Sequence, residues 1–140
     1  MQNLIVRGHK ESKLTAFRMT EDMDAGPIYL KRLLDLSGRA QEIFNSIAGK
    51  IWEMIKVIVE TEPEPVPQLG EPTFFKRRTP DQSALPVEGS IEELYDHIRM
   101  LDAETYPLAF LEHGEFRLEF SNAKLLGDGS LAAKVVVKKR

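Results

Sequence analysis

A proline-rich segment near the middle of the chain constrains the fold more than any other feature of the sequence. Residues 61–72 (TEPEPVPQLGEP) hold four of the eight prolines and three glutamates, with no basic residue. Proline lacks an amide donor and biases the preceding residue toward extended geometry, so a helix cannot continue through this segment. We therefore expect a first domain over residues 1–60, a semi-rigid linker over 61–72 and a small second domain over 73–140.

Charge and composition exclude several classes of function. The 140 residues carry 19 basic and 22 acidic side chains and no cysteine, which excludes disulfides, thiolate metal sites and cysteine nucleophiles. A net charge of −3 does not favour non-specific nucleic-acid binding, which usually shows as a basic stripe. No apolar run approaches the length of a membrane helix and no signal-peptide pattern follows Met1, so the sequence predicts a cytoplasmic protein without a membrane partner.

The first sixty residues predict a sheet with one long helix. Strands are expected over 13–19 and 28–36, with the Gly26-Pro27 step marking a turn between them. A helix of about 22 residues follows, with Ser37 as the expected cap of its first amides. Its apolar face is formed by Ala40, Ile43, Phe44, Ile47, Ala48, Ile51, Met54, Ile55 and Ile58. This part is predicted to be α/β.

The second part predicts a small α+β, β-rich domain. Residues 73–76 are expected to form a short strand, and Ser90 with Glu93 forms a capping box for a helix that runs to about Leu101. The remaining residues alternate in polarity around glycine-containing turns, which predicts two hairpins.

The three histidines do not predict a metal or catalytic site. His9, His97 and His113 lack metal-ligand spacing with one another or with a carboxylate, and no Ser-His-Asp arrangement is indicated. His97 is expected on the exposed side of its helix. The sequence therefore predicts no metal.

Three carboxylates lie between the first two predicted strands, in residues 20–27 (TEDMDAGP). Ligands commonly bind at strand ends in α/β sheets. Composition alone favours a solvated acidic turn at this place, and the ligand-binding interpretation remains the alternative.

Four segments resemble one family in the order in which that family has them. These are residues 19–29 (MTEDMDAGPIY), 36–44 (LSGRAQEIF), 77–80 (RRTP), and 98–102 with 106–110 (IRMLD and YPLAF). They resemble the 10-formyltetrahydrofolate-dependent formyltransferases, which act on amino-sugar nucleotides or on methionyl-tRNA. The resemblance covers nearly the whole chain and points to the carboxy-terminal portion of such an enzyme.

The resemblance implies a fold and a set of site residues. The fold would be part of a formyltransferase-type sheet with its long helix, followed by a shortened OB-type domain. Asp24 matches the family's aspartate, which holds a catalytic histidine. By the same resemblance, Thr20, Glu21, Asp22 and Met23 would line the pterin side of the pocket for 10-formyltetrahydrofolate, the formyl donor.

One part of the family's machinery has no counterpart here. The family places its catalytic asparagine and histidine on an Asn-x-His segment, and the chain contains none. Because these groups supply an oxyanion donor and the base, the isolated chain is predicted to be inactive. The expected partners are folate, an amine acceptor, and a missing amino-terminal half or a second copy of the chain.

Three interpretations follow. The first is a portion of a formyltransferase, with an amino-sugar nucleotide favoured over methionyl-tRNA because the chain is acidic and only 33 residues follow Pro107. The second is a noncatalytic docking or assembly module from a split or truncated formyltransferase gene, with an open sheet edge. The third is a small α+β domain unrelated to formyl transfer.

Overall fold

The computed structural model describes residues 1–140 and contains two separate antiparallel sheets. The first is a hairpin of two strands, and the second is a three-stranded sheet in the order β3-β4-β5. In chain order the elements are α1 (Gln2–Val6), β1 (Glu11–Phe17), β2 (Ile28–Asp35), α2 (Ala40–Thr61), a short 3-10 helix (Pro80–Ser83), α3 (Ile91–Arg99), β3 (Ala109–His113), β4 (Phe116–Leu125) and β5 (Leu131–Lys139).

The fold class is confirmed in coarse terms, as a small α/β arrangement of helices and antiparallel sheets. Both predicted strands of the first part are present, paired from Glu11 with Asp35 to Phe17 with Ile28. The two predicted hairpins of the second part are present as β3-β4 and β4-β5. A shortened OB-type domain is not confirmed, because β3, β4 and β5 form an open sheet of three strands.

Helix α2 has the predicted length of 22 residues but a different start. The Glu42 carboxylate accepts a hydrogen bond of 2.9 Å from the Arg39 amide at the helix start. The amide and hydroxyl of Ser37 instead donate to the Asp35 carboxylate, at 2.8 and 2.7 Å. The predicted cap at Ser37 is therefore wrong, because a carboxylate two residues earlier binds the serine first.

The proline-rich segment packs against the first hairpin. Val66 exchanges backbone hydrogen bonds of 2.7 and 2.9 Å with Ile28, at the start of β2. The predicted strand over residues 73–76 is wrong: these residues pair with no strand and are exposed. An extended segment without a neighbouring edge gains no ladder hydrogen bonds, so it forms no strand.

One apolar core joins the parts on either side of this segment. Its nine buried side chains are Ile5, Leu34, Leu36, Ile43, Ile98, Met100, Leu101, Ala109 and Ala123. Four of them precede the proline-rich segment and five follow it. The division into two domains stays a prediction, but the two parts share this core.

The side chain of Arg99 connects the part of the chain after the proline-rich segment to the part before it. The side chain is 2% exposed, and its Nε donates to the Asp96 carboxylate at 2.6 Å. Its Nη1 donates to the carbonyl oxygens of Leu36 and Gly38, at 2.5 and 2.8 Å. These carbonyls belong to the bend between β2 and α2, so Arg99 fixes α3 against that bend.

We predict that Arg99→Met strongly destabilises the chain. Methionine fills much of the volume but leaves the buried Asp96 carboxylate with only the exposed Lys10 as a partner, at 3.7 Å, and two carbonyls without donors, at a cost of about 3–5 kcal/mol. Urea unfolding measures this loss, and Arg32→Met is the matched control. Arg32 is exposed and donates only to the neighbouring Lys31 carbonyl. Equal stability of the two variants would contradict the bridging role of Arg99.

Candidate functional site

The loop between β1 and β2 is closed tightly at its base. The Arg18 amide donates to the Pro27 carbonyl at 2.8 Å. Gly26 lies so close to this pair that an added Cβ would stand 1.7 Å from the Arg18 carbonyl oxygen, so only glycine fits there. The side-chain amide of Gln68 donates to the carbonyls of Asp24 and Gly26, both at 2.8 Å.

The five predicted site residues lie together on this loop and face solvent. All of Thr20, Glu21, Asp22, Met23 and Asp24 are exposed, and the Met23 side chain is 91% exposed. The Asp24 backbone has a φ of 57°, in the left-handed region that aspartate and asparagine tolerate. The Asp24 carboxylate takes part in no salt bridge, so it is free to meet a group from outside the loop.

A small cleft of about 310 Å³ opens beside the base of this loop. Arg18 and Tyr29 form one wall, joined by a 3.1 Å hydrogen bond from the guanidinium to the phenol oxygen. Residues 62–65, at the start of the proline-rich segment, form the other wall. None of the five predicted site residues lines this cleft.

A larger cleft of about 570 Å³, here called the arginine cleft, is formed by residues outside the acidic loop of residues 20–27. It is lined by Gln2, Arg77, Arg78, Thr79, Pro80, Ser83, Leu101, Thr105, Tyr106 and Pro107. Two of the segments singled out by resemblance, residues 77–80 and 106–110, therefore meet at one site. The sequence showed both segments but not their contact.

The arginine cleft is basic and contains no carboxylate. Arg78 is half-buried, and its Nη2 donates to the Gln82 carbonyl at 2.6 Å. Burial lowers the pKa of Arg78, and neither it nor Arg77 forms a salt bridge. The cleft therefore presents two cationic side chains without counter-ions.

His97 is next to the cleft residue Ser83, and its expected exposed position is wrong. The ring is half-buried, with Nε2 3.4 Å from the carbonyl oxygen of Ser83, a cleft residue. Burial lowers the pKa of His97, and the nearby charge of Arg78 lowers it further. The groups next to this ring, Arg78 and Ser83, precede α3 and lie outside it, so helical periodicity could not reveal the contact.

The structure contains no cluster of metal-ligating side chains and no helix that could span a membrane. No group of three or more histidine, aspartate or glutamate side chains lies close enough to hold a metal ion. None of the helices, including α2 with its 22 residues, combines the length and apolar character that crossing a bilayer requires.

Comparisons with known proteins define the class to which this fold and these segments correspond. Residues 80–138 match the family model described as the C-terminal domain of methionyl-tRNA formyltransferase. The methionyl-tRNA formyltransferase of Streptococcus pyogenes is 28% identical over 141 residues, which covers 96% of this chain and 45% of that protein. The chain therefore spans less than half the length of this curated relative.

Solved structures that resemble this chain are also formyltransferases. The methionyl-tRNA formyltransferase from Clostridium thermocellum matches with a TM-score of 0.94 and 43% identity, over 99% of this chain and 61% of that one. WlaRD, a sugar 3N-formyltransferase, shares the fold at a TM-score of 0.58 and 14% identity, over 98% of this chain and 58% of that one.

These matches confirm that the chain corresponds to the carboxy-terminal part of formyltransferase-family proteins. More narrowly, it is homologous to the carboxy-terminal part of methionyl-tRNA formyltransferase.

We predict that acidification destabilises the fold through His97. Because its folded pKa is lowered, the unfolded chain binds the proton first as pH falls below about 6.5, the usual histidine value. The free energy of unfolding therefore falls between pH 7.5 and 5.5, and His97→Gln flattens this dependence. Urea unfolding at several pH values measures the slope.

His113→Gln is the control for this prediction, since His113 is the exposed last residue of β3. The half-buried amino group of Met1, whose pKa burial also lowers, adds the same slope to every variant and cancels in the comparison. If His97→Gln and His113→Gln keep identical slopes, the burial of His97 carries no linkage to folding.

Proposed function

We propose that this chain is the carboxy-terminal part of a formyltransferase that moves a formyl group from 10-formyltetrahydrofolate to a primary amine. The observation that carries the proposal is the match to the Clostridium thermocellum enzyme over 99% of the chain. The matched region includes the exposed β1-β2 loop, where the family's aspartate is expected.

The chemistry requires groups that this chain only partly contains. Attack of an amine on the formyl carbon builds negative charge on its oxygen, so donors and a base are needed. An ionised carboxylate beside an imidazole fixes the ring and stabilises its protonated form. We assign this positioning role to Asp24, whose carboxylate has no salt-bridge partner and faces solvent.

The folate side of the site is assigned to the same loop. Thr20, Glu21, Asp22 and Met23 precede Asp24 and would line the pterin side of the bound 10-formyltetrahydrofolate, which supplies the formyl group. Gly26 and Gln68 hold the base of the loop. The isolated chain is proposed to be inactive, because the Asn-x-His segment must come from elsewhere.

Two substrates are proposed as acceptors of the formyl group, and a different observation supports each. Methionyl-tRNA is favoured by the names of the relatives with the higher identities. An amino-sugar nucleotide is favoured by the charge pattern at the end of the chain. There Lys138, Lys139 and Arg140 pair with Glu119, Glu115 and Glu112, which reduces the positive charge that these three side chains offer to RNA.

We predict that Asp24 is required for formyl transfer in a chimeric enzyme. In it, this chain replaces the corresponding region of the Clostridium thermocellum enzyme, and formyl transfer is assayed with both acceptors. Asp24→Asn is expected to lower kcat by up to about 10²–10⁴-fold, the contribution of a general base, because the histidine that acts as the base loses the carboxylate that orients it. The fold should be unaffected, because asparagine tolerates the left-handed backbone at this position.

Glu53→Gln is the charge-matched control, since Glu53 is exposed on α2 and forms no salt bridge. An active chimera whose rate is unchanged by Asp24→Asn would overturn the role of Asp24. Activity of the unfused chain would overturn its proposed dependence on a missing segment.

The second candidate function, a docking module, is favoured by the exposed face of α2. Ile51, Trp52, Ile55 and Val59 recur along one side of the helix, with Trp52 72% and Val59 70% exposed. The β1-β2 hairpin also has outer edges that are unpaired except where Ile28 meets Val66. The partner we propose is a separate chain carrying the remaining strands of a formyltransferase catalytic domain.

We predict that the amino-terminal part of the Clostridium thermocellum enzyme binds this chain and buries Trp52, the only tryptophan. A blue shift of its fluorescence and a joint species in sedimentation velocity are the expected signals. Trp52→Glu should weaken the complex at least tenfold, while Val87→Glu, at a residue 99% exposed, should not. Two independent species at high concentration would contradict docking.

A further inference from the structure

The loop between β1 and β2 receives hydrogen bonds from one residue outside the hairpin, Gln68 of the proline-rich segment. The other hydrogen bonds of the loop are local, such as the one that the Thr20 hydroxyl donates to the Asp22 carbonyl at 3.1 Å. Gln68 lies 44 residues after Asp24 in the sequence. The hydrogen-bonded support of the loop therefore depends on a side chain from a distant part of the chain.

The two hydrogen bonds of Gln68 are arranged to fix the backbone at Asp24. A primary amide nitrogen carries two N–H groups, and Nε2 of Gln68 lies 2.8 Å from the carbonyl oxygens of both Asp24 and Gly26. These contacts hold the orientation of the two peptide planes that follow Asp24 and Gly26. The direction in which the Asp24 side chain leaves the backbone is held with them.

The backbone of Asp24 needs such support from its surroundings. Its φ of 57° lies in the left-handed region, which residues other than glycine seldom occupy. Conformations of this kind persist where neighbouring structure determines them, and they are frequent at functional sites. Gln68 supplies the neighbouring structure here.

Gln68 is itself held in place by the residues before it. Val66 exchanges two backbone hydrogen bonds with Ile28 at the start of β2, and Pro67 restricts the backbone between Val66 and Gln68. The amide of Gln68 therefore reaches the loop from a backbone that is already fixed to the same hairpin. Less conformational freedom is lost when its hydrogen bonds form.

We propose that Gln68 is a positioning residue for formyl transfer, which orients the Asp24 carboxylate by holding the carbonyls of Asp24 and Gly26. This role rests on the proposed function, because Gln68 acts on the reaction only through the loop that carries Asp24. A displacement of about 1 Å in a positioned group can cost about 10²-fold in rate. The proline-rich segment thus contributes to the site itself.

The chimera described above tests this role through its steady-state kinetics. Gln68→Leu removes both N–H donors and is expected to lower kcat about tenfold, with the KM for the amine acceptor unchanged. Gln68→Glu keeps the shape of the side chain but also lacks the donors, and it should lose at least as much. Glu71→Leu is the control, since Glu71 is exposed in the same segment and its side chain forms no hydrogen bond or salt bridge. Its kcat should equal that of the unmodified chimera.

A double-mutant cycle separates an effect through Asp24 from an independent one. In the Asp24→Asn chimera, Gln68→Leu should change kcat by less than about twofold, because the group that Gln68 orients is already lost. Additive losses, or an unchanged kcat in Gln68→Leu where Asp24→Asn lowers it, would overturn the role of Gln68. An active chimera that tolerates Asp24→Asn would instead overturn the proposed function.

The contact is also measured without catalysis, in the 140-residue chain. The Ala25 amide belongs to the same peptide group as the Asp24 carbonyl, so ¹⁵N relaxation at Ala25 reports how firmly that group is held. Its order parameter should fall toward about 0.6, the upper limit for a flexible backbone, in Gln68→Leu and stay unchanged in Glu71→Leu. Equal order parameters in the two variants would overturn the role of Gln68 whatever the chimera shows.

Discussion

The buried contact of Arg99 with Asp96 and with two backbone carbonyls holds the two parts of this chain in one arrangement. Apolar contacts in the shared core supply most of the burial, but they are not directional. Arg99 adds direction, because its donors fit only when α3 stands against the bend at Leu36 and Gly38. Together with the contacts of Arg39 to Asn122 and Asp102, it positions the β1-β2 hairpin relative to the carboxy-terminal sheet.

Features set by local signals could be predicted from the sequence, and features set by distant contacts could not. The two first strands, the length of α2 and the Ser90 capping box rest on nearby residues and were predicted well. Ser37 failed as a cap because Asp35 competes for it. The shared core and the burial of His97 depend on residues far apart along the chain.

The candidate sites divide in the same way. Residues 20–24 form one continuous loop, so their grouping could be found from the sequence by resemblance to a family. The arginine cleft joins residues 77–83 to residues 101–107 and to Gln2, and only the folded chain brings these together. The chain therefore carries one surface for its proposed place in formyl transfer and a second one of different chemistry.

The proline-rich segment has a consequence for how such chains can diverge. Val66 is tied to the start of β2, and Gln68 grips the backbone at Asp24 and Gly26. The proline-rich segment therefore does more than link two parts of the chain, because it stabilises the loop between β1 and β2. Insertions between Val66 and Gln68 would destabilise the β1-β2 loop even where the residues of the loop are unchanged. The loop and the proline-rich segment therefore have to be inherited, or transferred to another protein, together.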